Sequence, residues 1–171
     1  VYLGLDAQTL SKRDFTWAQK RLRVLSGLYG LLRPLDRIHP YRLEMGTALR
    51  NIAGKDLYEF WGGKVTQALN EALSGQRSKV LINLASNEYY KVVQAQNIDG
   101  RIVTINFKEW RRDAYRFVSF SAKKARGLMA RYMIDQRAEK ADDLKAFDVE
   151  GYAFNEELSS RDEWIFTRHI D

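Results

Sequence analysis

Not one of the 171 residues is cysteine, so neither a disulfide nor a thiolate-bound metal can hold this chain together, and its fold has to come from buried apolar surface. The material is present: 45% of the residues are hydrophobic, and a chain of this length buries roughly 70% of the surface its unfolded form exposes. The same absence excludes Fe–S clusters and thiol nucleophiles. Apolar runs such as Val80-Leu81-Ile82 fall far short of the roughly 18 residues that cross a bilayer. The expectation is a soluble, cytoplasmic protein with no membrane partner. The opening Val1-Tyr2-Leu3-Gly4-Leu5, apolar and without Met, predicts a chain that starts inside a longer one.

The net charge of +6 is unevenly distributed. Residues 11–42 carry 8 Lys/Arg against 2 Asp/Glu, and residues 101–126 repeat those counts, whereas 135–171 carry 5 against 11. Two basic segments beside an acidic tail fit a nucleic-acid surface with a solubilising or mimic segment, the plain alternative being solvated surface.

Periodicity predicts one α/β domain over residues 1–171, a mixed sheet surrounded by helices. A helix is expected from Ser11 to near Gly27 on Phe15, Ala18, Leu22 and Leu25, and a second from the Asp56/Glu59 cap to Ser74. Strands are expected at 79–84, 101–107, 115–120 and 164–167, with a short helix after Asn87 and another over 141–147. The clearest helix is 121–137, with Ala122, Ala125, Met129, Tyr132 and Met133 on one face.

On the other side of that helix, Lys123, Lys124 and Arg131 surround Gly127 and Ala130, with Arg126 a further candidate phosphate contact. Glycine inside a helix costs about 1 kcal/mol relative to alanine, so Gly127 implies a close approach, read here as a phosphate reaching unobstructed backbone, against the alternative of a solvated face. The turn Gly27-Leu28-Tyr29-Gly30 reads as a helix-hairpin-helix-like element, with Arg33, Arg37 and Arg42 nearby, or else as a plain helix cap. Aromatics among basic residues, Tyr41 and Trp110 included, either stack on unpaired bases or fill the core. The two histidines, His39 and His169, have no ligand spacing, so no directly bound metal and no cofactor are expected. Phosphate-loop, dinucleotide-binding and nucleophile-elbow motifs are missing, while Glu44, Glu59 and Glu88 remain available for acid/base work.

Five segments, Leu25–Asp36, Pro40–Gly46, Gly54–Gly62, Asn83–Tyr89 and Ala122–Met129, resemble in order the YaaA peroxide-stress family, and the likeness covers essentially the whole chain. The resemblance implies a cytoplasmic bacterial protein that limits peroxide damage linked to unincorporated iron, and an α/β fold with a helix-hairpin-helix element and a basic DNA-binding cleft. It also implies that members extend further at the N-terminus. The leading expectation is therefore a non-enzymatic protein that binds duplex or branched DNA without sequence preference through Gly27, Leu28, Tyr29, Gly30, Arg33, Arg37, Arg42, Lys123, Lys124, Arg126 and Arg131. The alternatives are an enzyme acting on a nucleobase, nucleotide or DNA lesion through Glu44 or Glu88, and a partner-binding protein governed by its acidic tail.

Overall fold

A computed structural model describes residues 1–170. They form α1 (Tyr2–Leu5), α2 (Lys12–Arg21), β1 (Val24–Ser26), β2 (Gly30–Leu32), α3 (Leu57–Trp61), α4 (Lys64–Ser74), β3 (Val80–Asn83), α5 (Asn87–Tyr90), β4 (Arg101–Arg111), β5 (Ala114–Arg116), α6 (Ser119–Asp135), β6 (Ala153–Phe154) and β7 (Glu163–His169), with short 3-10 turns between. Two compact units result: one comprises Val1–Asp14, Val80–Leu84 and Ile102–Asp171, the other Phe15–Lys79 and Ala85–Arg101.

The first unit is built on a five-stranded mixed sheet in the order β3-β4-β7-β6, with β5 paired to β4. β4 and β7 run parallel from Thr104↔Glu163 to Trp110↔His169, while β5 pairs antiparallel with β4 and β6 antiparallel with β7. Along β4 the side chains alternate as a strand requires, burying Val103, Ile105, Phe107 and Glu109. α6 lays Ala122, Ala125 and Met129 into the same core. Phe107 is its hub, with ring centroids 5.1 Å from Tyr152, 5.6 Å from Phe166 and 6.0 Å from Phe147. The class is thus α/β with a mixed sheet flanked by helices.

Two expectations for this unit need correction. β5 stops at Arg116, so Phe117–Phe120 is not strand: the hairpin turns at Arg112-Asp113, both left-handed (φ 49° and 61°), and Ser119 already opens α6. Gly127 does not leave the helix backbone open to a phosphate either. A Cβ there would lie 1.9 Å from the Val1 carbonyl oxygen and 2.8 Å from the Leu5 nitrogen, while one on Gly4 would lie 2.2 Å from the Lys124 carbonyl oxygen. The approach that Gly127 permits is that of α1, backbone against backbone.

In the second unit β1 and β2 form an antiparallel hairpin, Val24↔Leu32 to Ser26↔Gly30. This replaces both the C-terminal part of the first expected helix and the helix-hairpin-helix-like element. α2 ends at Arg21 because Arg23 turns back and donates from Nη1 to the carbonyls of Gln19 (3.1 Å) and Leu22 (2.8 Å), satisfying acceptors the helix leaves open. The next helix starts as anticipated, with the Asp56 carboxylate accepting from the Glu59 N–H at 2.9 Å. Gly62, at φ 48°, then splits it into α3 and α4. Among the described residues no helix is long and apolar enough to cross a membrane.

Gly127→Ala should lower the urea-unfolding stability by about 2–3 kcal/mol, because the clash is with backbone that cannot swing away. Gly63→Ala, where a Cβ meets nothing within 4 Å, should leave it unchanged or higher.

Candidate functional site

The hairpin turn is a structural anchor. Trp61 donates from Nε1 to the Gly27 carbonyl at 3.0 Å, and a Cβ on Gly27 would lie 2.2 Å from the Leu43 carbonyl oxygen. Gly30 sits at φ 75° with the Trp61 ring 2.8 Å from where a Cβ would be. The Tyr29 N–H donates to Ser26 Oγ, its hydroxyl accepts from the His39 N–H at 3.1 Å, and its ring meets Tyr41 edge-on at 5.6 Å. Ser26 Oγ is in turn hydrogen-bonded to the Tyr41 hydroxyl. Of the four turn residues only Leu28 is exposed.

What these contacts hold is the stretch from Arg33 to Asp56, which contains no helix or strand beyond an isolated bridge, Asn51↔Gly54. Loops longer than about 12–15 residues without secondary structure are uncommon and, where ordered, usually functional. This one is pinned along its length. Leu35 N–H donates to Gln19 Oε1 and Gly46 N–H to Glu88 Oε1, each at 2.9 Å, the Glu88 carbonyl accepts from the Tyr58 hydroxyl at 2.7 Å, and Met45 is fully buried. Four of the five segments that carry the resemblance therefore meet here. Arg33 is tied to Asp36 through two nitrogens (2.9 and 3.1 Å), whereas Arg37 is exposed and the Arg42 side chain is 91% exposed beside a long 3.4 Å pair with Glu44. Arg50, missed in the sequence, is exposed on the same loop. Glu88 serves as a loop clamp. With Glu44 it raises the Tyr89 phenol, an effect second to that phenol's burial.

The α6 cations are mostly engaged in the first unit's own fold. Lys123 is exposed, but Lys124 pairs with Glu150. Arg131 chelates Asp135 through Nε and donates from Nη1 to Thr9 Oγ1 at 2.6 Å and to the Leu5 and Asp6 carbonyls at the end of α1. Arg126 is only 8% exposed, its Nε has no hydrogen-bond partner, and burial lowers its pKa. Nor is the acidic C-terminal stretch a detachable tail: it contains Tyr152, Trp164 and Phe166 of the core and the whole of β7. Among the described residues no group of three His, Cys, Asp or Glu is placed to hold a metal ion.

The family model described as Peroxide stress protein YaaA matches residues 1–158. The chain belongs to the YaaA peroxide stress protein family. It is 56% identical over 169 residues to a UPF0246 protein of Alteromonas mediterranea, 57% over 168 to one of Ralstonia nicotianae and 55% over 168 to one of Shewanella sp.. Each match takes in 98–99% of this chain, which spans 65% of the length of these relatives.

This YaaA-family chain also holds a charge network that the sequence left unread. Glu109, 1% exposed at the end of β4, accepts from Arg168 (2.7 Å) and Arg111 (2.9 Å); Arg168 reaches on to Glu150, which holds Lys124. Burial alone pushes Glu109 up, but hydrogen bonds from Ser121, Arg168 and Arg111 outweigh it and hold its pKa below the ordinary carboxylate value. Only the parallel β4–β7 register, which sets Glu109 opposite Arg168, discloses this pairing.

A carboxylate with a lowered folded-state pKa contributes stability above its unfolded pKa of about 4.3, and loses it as pH falls through the folded value. Glu109→Gln should therefore lower stability at pH 7 and flatten the acid limb below about pH 4.3, read from urea midpoints across pH. Arg126→Met, which removes an unsatisfied buried donor, should raise stability by about 1–3 kcal/mol in the same assay.

Proposed function

We propose that the chain is the DNA-contacting part of a bacterial peroxide-stress protein, gripping the phosphate backbone without sequence preference and so limiting peroxide damage linked to intracellular iron. Membership of the YaaA family supports the stress role. The observation that carries the DNA reading is the pinned 33–56 loop, which holds Arg37, Arg42 and Arg50 in solvent. Guanidinium groups on a fixed backbone suit phosphate oxygens, and contacts of this kind position a protein on DNA without reading bases. Arg33, already oriented by Asp36, adds a fourth, and Lys123 offers a cation on the first unit.

Four phosphate contacts predict that log K for a duplex falls with log salt at a slope near −3.6. Fluorescence anisotropy over a salt series tests this. Arg37→Glu/Arg42→Glu should weaken binding strongly and make the slope shallower by about 1.8, with Lys123→Glu acting more mildly. A slope near zero, or one untouched by the double variant, overturns the reading.

A further inference from the structure

We propose that the tip of the β4–β5–β7 sheet is a stacking platform for an unpaired base of DNA; the inference rests on the DNA-binding reading and adds a preference for single-stranded or gapped sites. The register sets Trp110 opposite Tyr115 on one side and His169 on the other. The indole and imidazole rings stack, with centroids 5.3 Å apart and planes at 21°, and Tyr115 closes edge-on against both at 5.0 and 5.7 Å. The Tyr115 hydroxyl and His169 Nε2 are hydrogen-bonded at 3.0 Å, which fixes the imidazole. Yet Trp110 remains 39% exposed and His169 is exposed. Three rings from three strands thus form a rigid surface facing solvent, so little side-chain freedom is lost when a fourth ring joins.

The surroundings decide what that ring belongs to. Lys108 shares the face of Trp110 by strand alternation, and Arg112 is exposed at the adjoining turn beside Asp113, whereas Arg111 and Arg116 lie on the Glu109 face. On the opposite face, Glu109 is enclosed by Arg111 and Arg168, so its charge is turned into the protein. An aromatic shelf with Lys108 on its own face and Arg112 at the adjoining turn complements a base carried on a phosphate chain. Base faces are covered within a duplex, so the shelf is reachable only by an unpaired base. The hairpin thereby selects strand state, a task separate from the backbone grip of the 33–56 loop.

The test compares labelled oligothymidine and a blunt duplex by anisotropy, with wild-type chain, Trp110→Ala, Trp110→Phe, His169→Ala and Arg37→Glu/Arg42→Glu, each first checked for an unchanged circular-dichroism melt. Stacking on one ring predicts that Trp110→Ala weakens oligothymidine binding about tenfold or more, that Trp110→Phe keeps most of the affinity, and that duplex binding changes less than twofold. His169→Ala, which leaves the indole in place but unsupported, should give a smaller loss in the same direction. Duplex binding that responds to the arginine pair, together with oligothymidine binding indifferent to Trp110, overturns the platform and leaves the backbone reading standing. Equal losses on both DNAs overturn the strand-state preference, and failure of the wild-type chain to bind either DNA removes both proposals.

Discussion

The parallel ladder between β4 and β7 is the constraint on which the first unit depends. It brings residues 163–169 alongside residues 104–110, the last described strand against one some sixty residues earlier. Each rung has a consequence. Ile105 and Phe107 meet Trp164 and Phe166 within a core that α6 covers, Glu109 meets Arg168, and Trp110 meets His169. Because strand side chains alternate, the last two rungs face opposite ways, one sealing a buried ion network and the other presenting rings to solvent. A slip of one residue would exchange the two faces, burying Trp110 and stranding Glu109 outside its arginines.

How much of this was legible in the sequence depended on whether a signal named its own partner. The apolar run at 80–84, the Asp56 cap and the Ala122/Ala125/Met129 stripe are local signals, and the elements they announce are found where they were expected. Leu25 misled because its spacing from Leu22 continues a helical period although it lies on β1, beyond the point where Arg23 has closed off α2. The β5 boundary misled because its left-handed turn is made by Arg112 and Asp113 and carries no glycine to mark it. Gly127 is the most instructive case. Its helical position signalled a close approach, which is real, but the sequence did not say that the approaching group was the α1 backbone.

The same distinction governs the candidate site. A count of Lys and Arg along residues 101–126 treats each as available, yet Arg111 is held by Glu109, Lys124 by Glu150, and Arg126 lies buried without a partner for its Nε. Pairing of this kind depends on tertiary register, which charge counting does not contain. In the 33–56 loop the logic is reversed. There the backbone is fixed by neutral and carboxylate acceptors, Glu88 among them, so the arginines are not needed to hold the loop.

That division between cations that build and cations that face outward bears on how a basic protein binds a polyanion. A guanidinium already in a buried pair would have to give up a charge-assisted hydrogen bond before meeting phosphate, and the exchange gains little. One held in solvent by a rigid loop has only its counterions and its own rotamer freedom to lose. On the proposed reading, affinity for DNA should therefore follow the exposed arginines of the loop, and the cations of α6 should matter mainly through the stability of the sheet it covers. The aromatic tip of β4–β5–β7 obeys the same rule: its rings are ordered by one another before any ligand arrives, so what they recognise is set by the shape and charge already fixed there.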